Sequence, residues 1–348
     1  MVSPSLRAFV SSLCLRTETL AVLKVAKTSR CPHSAWQDRI APLMPATPSP
    51  VLIAVGANKG YPLVGFFRRH AAAEGLDSRA WHAALQQAPL EKESDLCGPC
   101  RDCDALPPRA GGGAHARAYA LELLPSNVAL MRHVARHFNL SARVFHFAVA
   151  GPNATDYLGV DPNQAGFEVG AAMLQSDSGW TRRTVRVPSV TVDVFMRKQE
   201  ISHAHYVAVD AEGWDALVIE GMGEALEHKR VDILTFEYHG LGFWNDDPAE
   251  NFGQGRTLAA TLRRLRAFGY VCFWQGENDT LPPASPPCWR ADFEFRGWSN
   301  LVCTHRVDYA RALANGRDVP HAHARTQTRA HAQLRTHEAS RHARLASG

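Results

Sequence analysis

Five apolar residues, Val51 to Val55, run without interruption into Gly56-Ala57-Asn58-Lys59-Gly60. Three of the five are β-branched, the pattern of a short strand buried on both faces. The two glycines let the chain turn tightly, and Asn58 tolerates the unusual backbone angles of such a turn. Leu63, Val64, Phe66 and Phe67 then recur at helical spacing over 61–74, which sets a helix N-terminus over the glycine turn. The same alternation continues. A strand over 116–123 carries Glu122 at its end, and Pro125-Ser126-Asn127 opens a helix through 138. Residues 143–149 read as a third strand, with Ala148 at its end. Residues 184–195 form a β-rich piece interrupted by Pro188. A fourth buried strand ends on Asp210 and a helix follows over 216–226. A fifth strand, 231–238, ends at Glu237, Tyr238 and His239. A basic amphipathic helix over 256–268 stops at Gly269, and strands over 270–274 and 299–305 complete the set. Strands alternating with helices predict an α/β fold, a mostly parallel sheet with helices on both faces.

The alternation occupies 50–310. Before it, 1–49 reads as an extension that ends in a Pro/Ala/Ser/Thr-rich linker over 42–50. Its only acids are Glu18 and Asp38, a composition that resembles an organelle transit peptide and equally fits an ordinary helix and linker. Residues 75–116 break the pattern and read as an insertion. Residues 311–348 are rich in Ala, Arg and His, lack large apolar residues, and are expected to be disordered. A hydrophobic content of 45% and a charged content of 21% suit a globular core. The net charge of +4 has its basic excess at the two ends, so nothing argues for nucleic acid as partner. No stretch is long and apolar enough to span a bilayer.

Ligands of such sheets bind at the carboxyl ends of the strands. Those ends carry the glycine turn, Glu122, Ala148, Asp210 with Glu212, and Glu237 with His239. An acid ending the second strand suits a ribose diol. A dinucleotide fingerprint would have a third glycine and an acid about 20 residues past the turn; here the third glycine is missing and the strand-end acid, Glu122, lies far downstream, beyond the insertion. Four carboxylates would repel a pyrophosphate and suit a phosphate-free cofactor with positive charge, such as the sulfonium of S-adenosylmethionine. Cys97, Cys100 and Cys103 form C-x2-C-x2-C. Three readings stand: a metal knuckle with His115 or Cys31 as fourth ligand, a disulfide staple in an oxidising compartment, or thiols in a loop. The five other cysteines read mostly as plain thiols. His133 and His137, four apart on a helix, read as a solvated face rather than a metal pair.

Five segments carry a more specific resemblance: VGANKGY at 55–61, LELLPSN at 121–127, VTVDVF at 190–195, VDAEGWDALVIEGM at 209–222 and ILTFEYH at 233–239. The chain resembles the FkbM-type family of S-adenosylmethionine-dependent methyltransferases over 50–305. The resemblance implies a Rossmann-like, seven-stranded methyltransferase sheet whose last strand is antiparallel. It also implies O-methylation of a hydroxyl on a sugar, a glycan or a small natural product. By position, Gly56, Ala57, Asn58 and Gly60 would wrap the methionyl end of the cofactor and Glu122 would hold the ribose. Asp210, Glu212 and Gly213 would line the junction with the acceptor. For a hydroxyl acceptor a general base helps: Asp210 or His239 is the expected base, with Glu212 positioning. The bland alternatives are a helix-start acid for Glu212, a satisfied loop histidine for His239 and a structural role for Glu237. No metal site is assigned. Ala54 and Ala208 depart from the family, which commonly has Asp and Lys there. They keep open a non-catalytic protein on the same sheet, beside a third reading as a nicotinamide-dependent oxidoreductase.

Overall fold

The structure, a computed structural model, describes residues 3–14, 31, 34–44, 49–71, 73–90, 96–98, 100–105, 115–153, 156–160, 185–248, 253–276 and 280–314. Of the tail expected to be disordered, 311–314 instead end a helix in which Leu313 is buried, while 315–348 and the glycine run at 111–113 lie outside these residues. In chain order the elements are α1 (Pro4–Cys14), α2 (Trp36–Ile40), β1 (Val51–Val55), α3 (Tyr61–His70), α4 (Ser78–Gln87), β2 (Arg117–Glu122) and α5 (Pro125–His137). Next come β3 (Ala142–His146), β4 (Ala148–Val149), β5 (Tyr157–Val160), β6 (Val185–Val190), α6 (Val192–Lys198), β7 (Ala204–Val209), α7 (Asp215–Glu220) and α8 (Gly223–Glu227). The chain closes with β8 (Val231–Tyr238), α9 (Leu258–Ala267), β9 (Val271–Gln275), β10 (Ser299–Thr304) and α10 (Val307–Ala314).

Seven strands form one sheet in the order β3-β2-β1-β7-β8-β10-β9, parallel except for β10, which is antiparallel to both neighbours. This is the α/β, Rossmann-like methyltransferase sheet expected from the sequence. Because the sheet is covered on both sides, its strands are continuous apolar runs rather than alternating ones. Val51, Ile53 and Val55 enter one core with Phe195, Ile219 and Leu258. Leu52 and Ala54 enter the other with Leu63, Phe67, Trp81 and Met131. β4, β6 and β5 form a small second sheet.

Several expectations are corrected. Residues 184–195 are a strand and a helix rather than one β-rich piece: Thr191 accepts the Val194 N–H and caps α6, whose Val192, Phe195 and Met196 are buried. The third strand splits, with β3 ending at His146 and Ala148 opening the second sheet opposite Ser189. Part of the supposed insertion belongs to the core. Asp77 caps α4, and Trp81 of α4 is fully buried with its indole N–H on the Lys59 carbonyl at 2.8 Å. Where it is described, the N-terminal region is docked rather than detached. Leu6 and Val10 of α1 are buried in the core, and Arg69 is paired with Asp38 at 2.7 Å.

The cysteines are not plain thiols. All eight pair, as Cys14–Cys288, Cys31–Cys100, Cys97–Cys103 and Cys272–Cys303. The C-x2-C-x2-C segment is therefore a double staple rather than a metal knuckle, with Cys31 as the disulfide partner of Cys100. Among the described residues no helix is long and apolar enough to cross a membrane.

Candidate functional site

The register of the parallel strands brings the chain's acids together. Val55 pairs with Leu121 of β2 and with Val209 of β7, and Val209 pairs with Phe236 of β8. One residue further along each strand stand Gly56, Glu122, Asp210 and Glu237, side by side at the carboxyl edge.

The glycine turn is tightly determined. Gly56, Asn58 and Gly60 have φ of 68°, 49° and 87°, in the left-handed region open to glycine and tolerated by asparagine. A Cβ at Gly56 would lie 1.7 Å from the Asp210 carbonyl oxygen, so only glycine lets β1 and β7 close here. The N–H groups of the turn are already committed. Those of Gly56 and Ala57 donate to the Leu121 carbonyl at 2.9 and 3.3 Å, and that of Gly60 to the Ala57 carbonyl at 2.8 Å. In the first turn of α3, Pro62 has no N–H and Leu63 donates to Gly60. A pyrophosphate would therefore find none of these five positions free to donate, which counts against a dinucleotide.

Glu122 is buried and accepts two backbone N–H groups, Asn58 on Oε2 at 2.7 Å and Leu124 on Oε1 at 2.9 Å. Burial pushes its carboxyl up to about 7, against the two N–H donors, Lys59 and Asn127. Asn127, read in the sequence only as part of a helix start, donates from Nδ2 to the Asn58 Oδ1 at 3.1 Å and so ties α5 to the turn. Ala148 is 1% exposed and packs in the second sheet with Leu124 and Trp214. The residue opposite Glu122 on β3 is instead His146, whose Nε2 is 2.9 Å from the Leu123 carbonyl.

The acceptor side is acidic. Asp210 is exposed just past the end of β7, although protein surrounds it at longer range. Burial, then repulsion from Glu237 and Asp215, raises its carboxyl well above the usual carboxylate range, and Asp102 adds to the repulsion. Asp102 lies between the paired Cys97 and Cys103, so the stapled segment contributes charge to the site. Glu212 is half-buried at φ 49°, and Gly213 follows at 91°, where a Cβ would lie 2.5 Å from the Leu241 carbonyl oxygen. Asp215, fully buried, was missed. Its Oδ1 accepts the N–H groups of Ala211 at 3.4 Å and Glu237 at 3.2 Å, and its Oδ2 accepts that of Gly213 at 3.2 Å. It thus joins the β7 and β8 loops, and its place in the first turn of α7 was the available signal.

His239 does not have the geometry of a base. It is 1% exposed, and its Nδ1 accepts the Leu241 N–H at 3.1 Å. A neutral ring with Nδ1 as acceptor carries its proton on Nε2, and Nε2 faces Glu237 Oε2 at 3.3 Å. Burial lowers its pKa, against the charge of Asp215, so the ring stays neutral. The same tautomer bears on metal binding. Glu212, Glu237 and His239 each bring one donor atom within 4.8 Å of the others, but both histidine nitrogens are engaged, one by a proton and one by Leu241. The Glu237 Oε1 accepts the indole N–H of Trp298, a residue 61 positions away that no local sequence signal connects to the site.

A glycine turn, an acid ending β2 and a β10 that runs against its neighbours are features of a Rossmann-like methyltransferase fold. The Methyltransferase FkbM domain matches residues 97–272, just over half the chain, and the chain belongs to that family. The match runs from the stapled segment to the start of β9. A comparison with curated proteins finds no match.

Proposed function

We propose that this protein is an S-adenosylmethionine-dependent methyltransferase acting on a hydroxyl of a sugar, a glycan or a small natural product. The observation that carries the reading is Glu122, a buried acid fixed by Asn58 and Leu124 beside a glycine turn whose Gly56, Ala57, Asn58 and Gly60 N–H groups already donate within the protein. That arrangement suits a ribose diol and leaves no cradle for phosphate. When bound, the cofactor would supply a methyl group on a positively charged sulfur. The chain's own residues align the acceptor against it, which is most of the catalysis in such an in-line transfer. Asp210, exposed at the junction and next to Gly56, is placed to take the hydroxyl proton. Glu212 would line the acceptor side, and the buried His239 faces Glu237.

The test is thermal unfolding of the full chain with and without S-adenosylhomocysteine, with Glu122→Ala as control. A ligand at about a hundred times its dissociation constant adds roughly 2.7 kcal/mol. A shift that Glu122→Ala abolishes supports the reading. No shift at millimolar ligand would favour a non-catalytic protein on this sheet, in keeping with the uncharged Ala54 and Ala208 directly beneath the site.

A further inference from the structure

One side of the seven-stranded sheet ends on β3, which among the described strands pairs with β2 alone. Arginines surround this edge. Arg132 of α5 donates from Nε and Nη2 to the Val144 carbonyl of β3 at 3.1 and 2.8 Å, which blunts the unpaired strand. Arg136 stands one turn further along α5, its Cβ roughly 6 Å from that of Arg132. Alternation sets Arg117 of β2 and Arg143 of β3 on the face that carries Tyr119, opposite the face covered by α5. The Arg143 guanidinium lies 5.1 Å from the Phe145 ring centre and 6.0 Å from that of Tyr119. All four arginines are exposed. Among the described residues none of them pairs with a carboxylate. The local sequence accounts for this. From 105 to 155 the chain has five arginines and four histidines against one acid, Glu122, which is buried. The neighbouring α4, stacked on α5 through Trp81 and Phe138, adds the exposed Arg79 and has its acid only at the cap, Asp77. Such an excess of one sign attracts anions to the edge.

Three observations select the kind of anion. The arginines are spread over both sides of the edge rather than gathered around one point, which suits a chain of repeated charges better than a single small ion. All eight cysteines are paired, and such bonds persist in oxidising compartments, where nucleic acid is not the ordinary polyanion. The exposed large apolar residues among the described ones, Leu43, Leu90 and Tyr157, lie outside α5 and β3, so the edge offers nothing to insert into a bilayer. Guanidinium groups match carboxylate and sulfate groups bidentately. We propose that the β3 edge is a docking surface for an acidic glycan, a polysaccharide that bears carboxylate or sulfate groups. The docking rests on charge and placement and does not depend on the methyl-donor reading. Arg132 lies five residues past Asn127, about 7.5 Å along α5, so a glycan held at the edge lies close to the glycine turn.

The experiment is isothermal titration calorimetry of the full chain with heparin and with hyaluronan, at several salt concentrations. Single-stranded RNA and vesicles of phosphatidylcholine with phosphatidylserine are titrated in parallel. The expected result is binding to heparin that the double variant Arg136→Gln, Arg143→Gln weakens about tenfold or more, with the salt slope reduced by about two. Arg136→Gln alone gives a smaller loss in the same direction. Arg132 is left in place because its bond to Val144 holds the edge strand. Arg263→Gln with Arg264→Gln, an exposed pair on α9, leaves the affinity unchanged. The arginines beyond 314 are the same in every variant, so the difference reports the edge. Unchanged unfolding midpoints show that the variants are folded. Hyaluronan bound alongside heparin upholds the proposal with carboxylate sufficient, and heparin alone upholds it with sulfate required. Binding of neither glycan, or heparin binding that both Arg136 variants leave intact, overturns it. RNA or vesicles bound more tightly than either glycan, and lost in the double variant, would overturn it in favour of that partner.

Discussion

The Asn58 N–H donates to Glu122 Oε2 at 2.7 Å, across a sequence separation of 64 residues. This bond joins the glycine turn after β1 to the acid ending β2, and the Asn127 side chain closes it into a three-residue link at 3.1 Å. Asn58 holds a left-handed backbone while Asn127 fixes its side chain.

Asn127→Ala removes the donor that steadies Asn58 and, with it, one of the groups that favour the charged form of Glu122. A hydrogen bond of this kind contributes about 1 kcal/mol net. S-adenosylhomocysteine should therefore bind roughly fivefold to tenfold more weakly, with the unfolding midpoint little changed. Calorimetry on the variant checks this, and unchanged affinity would show that the asparagine link is not needed.

Gly56→Ala puts a methyl group against the Asp210 carbonyl oxygen and a β-carbon on a backbone at φ 68°. The β1–β7 contact must open, so the expected result is loss of nucleoside binding and a fall in stability of about 2 kcal/mol or more. Gly75→Ala is the comparison, since it shares a positive φ of 70° but has nothing within 4 Å of the new carbon. It should cost only the backbone strain, about 1 kcal/mol. Urea unfolding of the two variants separates steric closure from strain.

Glu122 gives a pH dependence. Its folded value of about 7 lies above the ordinary 4.5, so the folded chain keeps a proton that the unfolded chain has lost between those values. Its contribution to stability is therefore largest below pH 4.5 and is lost as pH rises through 7. Nucleoside binding has the opposite sign, because ribose hydroxyls donate to the ionised carboxylate. Affinity for S-adenosylhomocysteine should rise by up to about tenfold per pH unit below 7 and level off above it. A flat profile from pH 5.5 to 8 would mean that Glu122 is already ionised throughout.

The Cys14–Cys288 bond ties α1 to the loop between β9 and β10 over a separation of 274 residues. In the chain-entropy account so long a loop is worth about 5 kcal/mol. Paired replacement by serine should lower the unfolding midpoint by about 5 °C or more. Alkylation of the denatured, unreduced protein followed by mass spectrometry should find none of the eight cysteines modified. Free thiols at Cys97, Cys100 and Cys103 would instead return that segment to an unpaired loop.

By itself the sequence determined the sheet and most of its strand ends. An apolar run buried on both faces needs no partner to be recognised, and Gly56, Glu122, Asp210 and Glu237 each follow such a run. It did not separate β6 from α6, because Val190-Thr191-Val192 is β-branched throughout and only the Thr191 cap stops the strand. It placed Ala148 at a ligand when the chain had already turned into a second sheet. Only the tertiary structure decided the protonation state of His239, because Leu241 and Glu237 compete for its nitrogens through space. The role of Glu237 was hidden for the same reason: Trp298 donates to it and His239 faces it from separate segments. The cysteine pairing was likewise a matter of distance, since eight cysteines allow about a hundred connectivities and spacing selects none. Local pattern encodes which residues stand at an edge. Which of them share a donor or a bond depends on contacts between segments that the order of residues does not record.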